Sequence, residues 1–332
     1  MKTVFKISVL LLCILLVLGC SRRHRSTIGD QEVRIGISKI VQHEALDACE
    51  RGIQDELIRR GYTVTVDLQN ANGDVGTATQ IANKFYNDKV DVAVGIATPM
   101  AVALANTIKD IPVVFSTVTD PVIANLVSSL ERGEGNVTGL SDALPTADHI
   151  GMFKEIAGIK TLGYLYTSSE ANSISDLAKV EEGCSRYGVT LVTQSINTSA
   201  ELRQAAQAII GRVDGIYIGT DNTIFSALPA LIQVCQNAKK PIFSGDVTAA
   251  VNGGCMIANG FNYYTAGLAT GEIVAEILEG KNPADIPVRL LTPEEMDILI
   301  DLDAAANCGI SIPADLLEKA RYIYQNGQLT EK

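Results

Sequence analysis

Val90-Asp91-Val92-Ala93-Val94-Gly95-Ile96 is a nearly continuous apolar run; Ala97-Thr98-Pro99 breaks it, Pro99 to Lys109 brings apolar residues back at helical spacing, and Pro112-Val113-Val114-Phe115-Ser116-Thr117-Val118 is a second such run. A strand that alternates apolar and polar residues buries one face, whereas a strand apolar throughout buries both. Strand, helix and strand in this order therefore imply a parallel sheet with helices on both faces, the doubly wound α/β arrangement. The alternation continues outward in both directions. Further candidate strands are Val33 to Ser38, Val64 to Leu68, Thr161 to Tyr166, Thr190 to Ser195, Gly215 to Gly219, Pro241 to Ser244 and Met256 to Asn259. Between them lie helical segments at Ala45 to Arg60, Thr77 to Asn87, Asp176 to Tyr187, Ala200 to Gly211, Ile224 to Ala238 and Thr265 to Glu279.

The start of the chain has a different character. A short basic beginning with Lys2 and Lys6 leads into the apolar run Val9 to Leu18, and Leu16-Val17-Leu18-Gly19-Cys20 closes it with a small residue directly before a cysteine. The order basic, apolar, small is that of an export signal, and the run is short for a bilayer span. Residues 1–19 are read as a lipoprotein signal peptide, with Cys20 as the lipidated first residue of the mature chain and residues 20–32 as a tether. Arg22, Arg23 and Arg25 then face lipid headgroups or form a solvated basic linker. On this reading the protein works outside the cytoplasmic membrane, on the periplasmic side or at the outer cell surface.

The net charge is −11, and removal of Lys2 and Lys6 with the signal takes it to −13. An acidic surface does not hold nucleic acid, whose phosphates demand basic groups. The mature length exceeds what one core usually serves, so two lobes are expected. The stretch around Gly133, Gly135, Gly139 and Pro145 is loose enough to be a first crossing, and Lys281 to Pro287 is another boundary. The expected division is 33–142 with 247–282 in lobe one and 143–246 with 283–326 in lobe two. Such a chain passes between lobes several times and forms a multi-strand hinge that permits closure. Cys49, Cys184, Cys235, Cys255 and Cys308 are scattered without metal-type spacing and are read as mostly buried thiols, one pair of which is open to bridging.

In open parallel sheets, ligands bind beyond the carboxyl ends of the strands. Ser38 ends the first strand here, Thr98 follows the third and Thr117 lies in the fourth; Ser168, Ser169 and Asn172 follow the fifth, Asp221 and Asn222 the seventh, and Asp246 the eighth. Singly, each such residue suits a helix N-cap, as Thr98 before Pro99 does. Collectively they suit a zwitterion. Thr98, Thr117, Ser168 and Ser169 offer donors to a carboxylate, and Asp221 or Asp246 offers a charge to an ammonium group. Phe225, Tyr263 and Tyr264 either contact a ligand side chain or pack the core and hinge, and His43 either packs or faces the ligand.

Nothing in the sequence supplies catalytic machinery: there is no GxSxG, HExxH, P-loop or GxGxxG pattern, and no metal site or cofactor is called for. Aromatic residues make up 5% of the chain and tryptophan is absent, which argues against a sugar cleft built on stacked rings.

Gly36-Ile37 with His43 to Asp47, Ile96 to Ala101, Pro112 to Val122, Gly135 to Asp142, Glu170 to Ser173, Thr220 to Thr223, Asp246 and Pro283 to Val288 together resemble ABC transporter substrate-binding lipoproteins of the tryptophan/tyrosine type. The resemblance runs from about Val33 to Ile323. It implies two type I periplasmic-binding-protein lobes closing on a small ligand, often an aromatic amino acid, and docking of a monomeric receptor to a membrane permease driven by an ATPase. Thr98, Thr117, Ser168, Ser169, Asn172, Asp221, Asn222 and Asp246 are the ligand contacts it implies. Glu44, where the family pattern has proline, and Val247-Thr248-Ala249 after Asp246 depart from it and bear on the side-chain pocket. Three readings compete with amino-acid import. One is a sensory module for a chemoreceptor or kinase, which neighbouring permease and ATPase genes would argue against. Another is a receptor for a nucleoside or sugar. The last is a surface hydrolase or isomerase, excluded by recovery of an unchanged ligand.

Overall fold

The computed structural model describes residues 32–332, so the expected signal segment, Cys20 and nearly all of the tether lie outside the described residues. Two sheets organise the rest. The first contains β1 (Glu32–Lys39), β2 (Thr63–Asn70), β3 (Val92–Ile96), β4 (Val113–Val118) and β5 (Val137–Ser141), and the second contains β6 (Thr161–Thr167), β7 (Thr190–Ile196), β8 (Gly215–Ile218), β9 (Ile242–Ser244) and β10 (Ile257–Phe261). Short β11 (Arg289–Leu290) joins the first sheet; β12 (Met296–Asp301), β13 (Tyr322–Gln325) and β14 (Gln328–Glu331) extend the second. The strand orders are β11-β5-β4-β3-β1-β2 and β14-β13-β12-β10-β9-β8-β6-β7. The first sheet is parallel throughout; in the second, only the β10–β12 and β13–β14 pairs are antiparallel.

Every residue of β3, β4 and β5 is buried, as their apolar composition demands. Phe85, Phe115 and Ile35 anchor the first core, while the second sheet has a core on each face, one around Leu202 and Leu231 and the other around Phe153, Tyr217 and Phe243. Each such side chain contributes roughly 1.5 to 3 kcal/mol by leaving water. In the first lobe, the helices Glu44–Arg59 and Tyr263–Leu278 pack at backbone distance. A Cβ on Gly52 would lie 2.2 Å from the Tyr264 carbonyl oxygen, and one on Gly267 would lie 2.2 Å from that of Cys49.

The crossings between lobes differ from the expected boundaries at 247 and 283. Residues 142–145 make the first passage. The chain then stays in the second lobe through β10, because Ile257 and Ala258 pair with β9. It returns at Asn262, whose side chain caps the helix Tyr263–Leu278 of the first core. Arg289 and Leu290 still pair with β5, so the final passage falls at 291–295. Two other expectations are corrected. The segment Ile224 to Ala238 is two helices, Asn222–Ser226 and Leu228–Ala238, because Pro229 lacks an N–H and opens a new helix after the break at Ala227. The glycine-marked stretch before Pro145 contains β5, in which Gly139 allows Phe115 to lie against the strand.

Cys49, Cys184, Cys235 and Cys255 are buried free thiols and Cys308 is a half-buried one. Among the described residues no cluster of His, Cys, Asp and Glu is arranged to hold a metal, and no helix is long and apolar enough to cross a membrane.

Candidate functional site

A narrow cavity lies between the two sheets, at the carboxyl ends of their strands. Nearly every strand beside the cleft delivers a lining residue. His43 comes from beyond β1, Ala97 and Thr98 follow β3, Thr117 and Thr119 stand at the end of β4, and Asp142 follows β5. From the second sheet come Asn172 after β6, Thr220, Asn222 and Phe225 after β8, Asp246 after β9 and Tyr263 after β10, with Leu46 added from the helix Glu44–Arg59.

Two lining residues carry backbone that L-amino acids rarely adopt: Ala97 at φ 74° and Thr117 at φ 53°. Ala97, with ψ 155°, turns the chain so that the helix Thr98–Thr107 starts at the cavity wall, with Pro99 in its first turn. The leading N–H groups of a helix have no partner within it and present a partial positive charge.

The polar atoms around the cavity are incompletely paired. The Asp142 carboxylate accepts a hydrogen bond from the Tyr263 hydroxyl at 2.7 Å through Oδ2, but its Oδ1 has no partner. Asp246 accepts from the Ala249 amide at 3.0 Å through Oδ1, and its Oδ2 has none. The Asn172 amide donates to the Thr220 carbonyl and to Glu170, leaving its Oδ1 unpaired. The Thr98 hydroxyl and both ring nitrogens of His43 are also buried without partners.

Burial pushes Asp142 up to about 6, with the charge of Asp176 adding to the shift, and Asp246 up to about 7, with the charge of Asp142 adding to it; no Lys or Arg lines the cavity. Burial pushes His43 down to about 4, so its imidazole is neutral at pH 7. The arrangement thus accepts hydrogen bonds from a cation and offers a hydroxyl and a helix start to an anion.

The lobes also touch directly here. Thr119 and Thr220 share a hydroxyl–hydroxyl hydrogen bond of 2.8 Å between the sheets, and the His43 and Phe225 rings face each other at 5.8 Å. Behind the cavity, Glu170 accepts from Asn172, from the backbone and side chain of Asn222, and from the backbone and side chain of Thr223, fixing the two asparagines.

Of the residues predicted from sequence, Thr98, Thr117, Asn172, Asn222 and Asp246 line the cavity. Ser38 does not: it is fully buried in β1, and its hydroxyl donates to the Val94 carbonyl. Asp221 is corrected as well. Its carboxylate caps the helix Asn222–Ser226 through the Ile224 amide and accepts from the Thr167 amide and hydroxyl and from Ser173, so it is spent inside the second lobe; burial and the nearby Glu170 push it upward. Ser168 is exposed and donates to Asn197, and Ser169 lines a separate crevice with Pro99 and Thr223. Tyr264 is exposed and its hydroxyl donates to Asp55.

Sequence reasoning missed Asp142, Leu46, Thr119, Thr220 and the supporting Glu170. The signal for Asp142 was available, since it ends β5, but that strand was read as a loose crossing.

The family model described as ABC transporter substrate binding protein matches residues 34–323. A relative described as a tyrosine-binding protein, from Clostridioides difficile, is 36% identical over 290 residues, covering 86% of this chain and 83% of that protein. Among solved structures, an ABC domain in complex with L-Trp from Streptococcus pneumonia superposes with a TM-score of 0.84 at 33% identity, covering 88% of this chain and all of that one. A ligand-free, open structure of a substrate-binding protein with adhesive properties from Clostridium difficile, also 33% identical and covering 89% of this chain and all of that one, gives a TM-score of 0.66.

Proposed function

Because the chain belongs to the family of ABC transporter substrate-binding proteins, we propose that it is the extracytoplasmic receptor of an importer and binds an aromatic amino acid between two closing lobes. Members of this family are solute-binding proteins rather than enzymes, and their membership implies an ABC permease as partner.

The observation that carries the reading is the set of unpaired buried atoms. Asp142 Oδ1, Asp246 Oδ2 and Asn172 Oδ1 are acceptors facing a cavity without a basic residue. An α-ammonium group has three N–H donors and supplies the missing charge. The Thr98 hydroxyl, with Thr117 and the first amides of the helix Thr98–Thr107, suits the α-carboxylate. Leu46 and Phe225 leave an apolar part for the side chain. Burying a charge without a partner is costly, so a cavity of this kind is complementary to what it encloses.

Closure is supported by the two structural comparisons. At equal identity of 33%, the chain superposes better on the tryptophan complex, at 0.84, than on the open, ligand-free protein, at 0.66. Lipidation at Cys20 and the tether to residue 32 keep the monomeric receptor at the membrane, raising its effective concentration near the permease.

Calorimetry of the purified protein with L-tyrosine and L-tryptophan tests the reading. The chain contains no tryptophan, so a bound tryptophan also reports itself by fluorescence against a tyrosine background. Absence of binding to either, with binding of a sugar or nucleoside instead, overturns it.

A further inference from the structure

His43 stands apart from the rest of the cavity lining. It precedes the helix Glu44–Arg59 in extended backbone, at φ −160°, where a side chain would ordinarily cap the helix, yet its ring makes no capping bond. The imidazole lines both this cavity and a neighbouring surface pocket, as does Phe225 from the opposite lobe. Their ring centroids are 5.8 Å apart with planes inclined by 35°. The Asn222 side chain lies close enough to act on the ring, but neither His43 nitrogen has a partner at full hydrogen-bonding geometry, and both are shut off from solvent. A polar ring thus lies against Phe225, in a cavity also lined by Leu46, with neither nitrogen fully paired.

Resting on the amino-acid reading above, we infer that His43 is the specificity-determining residue of the receptor: it reads the polar edge of an aromatic side chain and rejects the aromatic ligand that lacks one. The carboxylates and the Thr98 hydroxyl engage the part common to all amino acids and so contribute no discrimination among them. The imidazole is neutral in the closed protein, because burial pushes its titration down to about 4. A neutral imidazole carries one N–H donor and one acceptor nitrogen. A phenol can pair with either, and an indole N–H can donate to the acceptor, whereas phenylalanine satisfies neither and leaves the buried ring unpaired. An unpaired buried polar group lowers affinity by about 10- to 100-fold, and sites built around such a group discriminate strongly for this reason.

The test is a set of dissociation constants for L-tyrosine, L-tryptophan and L-phenylalanine, measured by calorimetry at pH 7.5 on wild type, His43→Phe and His43→Gln, each checked for an intact thermal transition. Wild type is expected to bind tyrosine or tryptophan at least about tenfold more tightly than phenylalanine. In His43→Phe that ratio should collapse to within about threefold, with phenylalanine binding more tightly than to wild type, because the ring volume is kept and the unpaired nitrogens are lost. His43→Gln, which restores a donor and an acceptor, should recover part of the preference. An undiminished ratio in His43→Phe, or no ratio in wild type, overturns the role of His43 and leaves the amino-acid receptor standing. Failure of wild type to bind any of the three overturns both.

Discussion

Asp246→Asn should change affinity and stability in opposite directions. The asparagine keeps the volume and the Oδ1 acceptor that holds the Ala249 amide, so the turn after β9 survives and only the charge is lost. Asp246 is 1% exposed and burial pushes it to about 7 from 3.8, so ionising it in the folded protein costs on the order of 4 kcal/mol. The sign follows from the raised value. Below 3.8 both folded and unfolded chains hold the proton; as pH rises toward 7 the unfolded chain releases it first, and the wild type loses stability until the full penalty is present above 7. The ligand-free variant should therefore melt higher than wild type at pH 8, with most of the gap gone at pH 5. Binding should weaken, because a charge-assisted contact to the ligand ammonium contributes about 1.5 to 3 kcal/mol, or roughly 10- to 150-fold in affinity. Scanning calorimetry at the two pH values and titration calorimetry with tyrosine and tryptophan measure both effects. Undiminished affinity, or identical pH dependence of melting in the two proteins, refutes the placement of an uncompensated carboxylate at the ligand ammonium.

Gly52→Ala places a methyl group 2.2 Å from the Tyr264 carbonyl oxygen, a backbone atom that cannot rotate away, so overpacking of about 1 to 3 kcal/mol or more should outweigh the helix-propensity gain and lower Tm by several degrees. A Tm that holds or rises shows that the two helices are not packed so closely. Ala97→Gly should do the reverse, relieving strain at φ 74° of about 1 to 3 kcal/mol against a glycine entropy cost of about 0.5 to 1 kcal/mol; a lowered Tm counts against the strained turn. Thr119→Val removes a hydrogen bond between the two lobes, so under the proposed closure ligand should dissociate about 2- to 10-fold faster in stopped flow while the ligand-free Tm stays put; slower release contradicts the contact's role.

The parallel sheets were legible in sequence because fully buried strands leave a strong mark: the run Val90 to Ile96 contains β3, and Pro112 to Val118 contains β4. What went unread has weaker local signals. β5 is short and holds Gly139, which counts as a turn residue until Phe115 is seen against it. The lobe crossings depend on which sheet a strand joins, and nothing local in Ile257 to Phe261 or Arg289-Leu290 states that pairing. The site followed the same division. Thr98 and Asp246 were visible as polar residues after apolar strands, but Asp221 looks the same in sequence and only its four hydrogen-bond donors reveal a cap. Asp142 was hidden by the misread strand before it.

Lining the cavity with Asp142 and Asp246 and with no basic residue has a consequence for what the receptor ignores. The extracytoplasmic medium is a mixture of metabolites, many of them phosphorylated or dicarboxylic. A second negative group carried into this low-dielectric space meets like charge without a counter-ion, and that repulsion grows as water is expelled. On the proposed amino-acid reading, the feature that receives an ammonium therefore also works as a sieve, turning away sugar phosphates, nucleotides and acidic amino acids before any side-chain fit is tried.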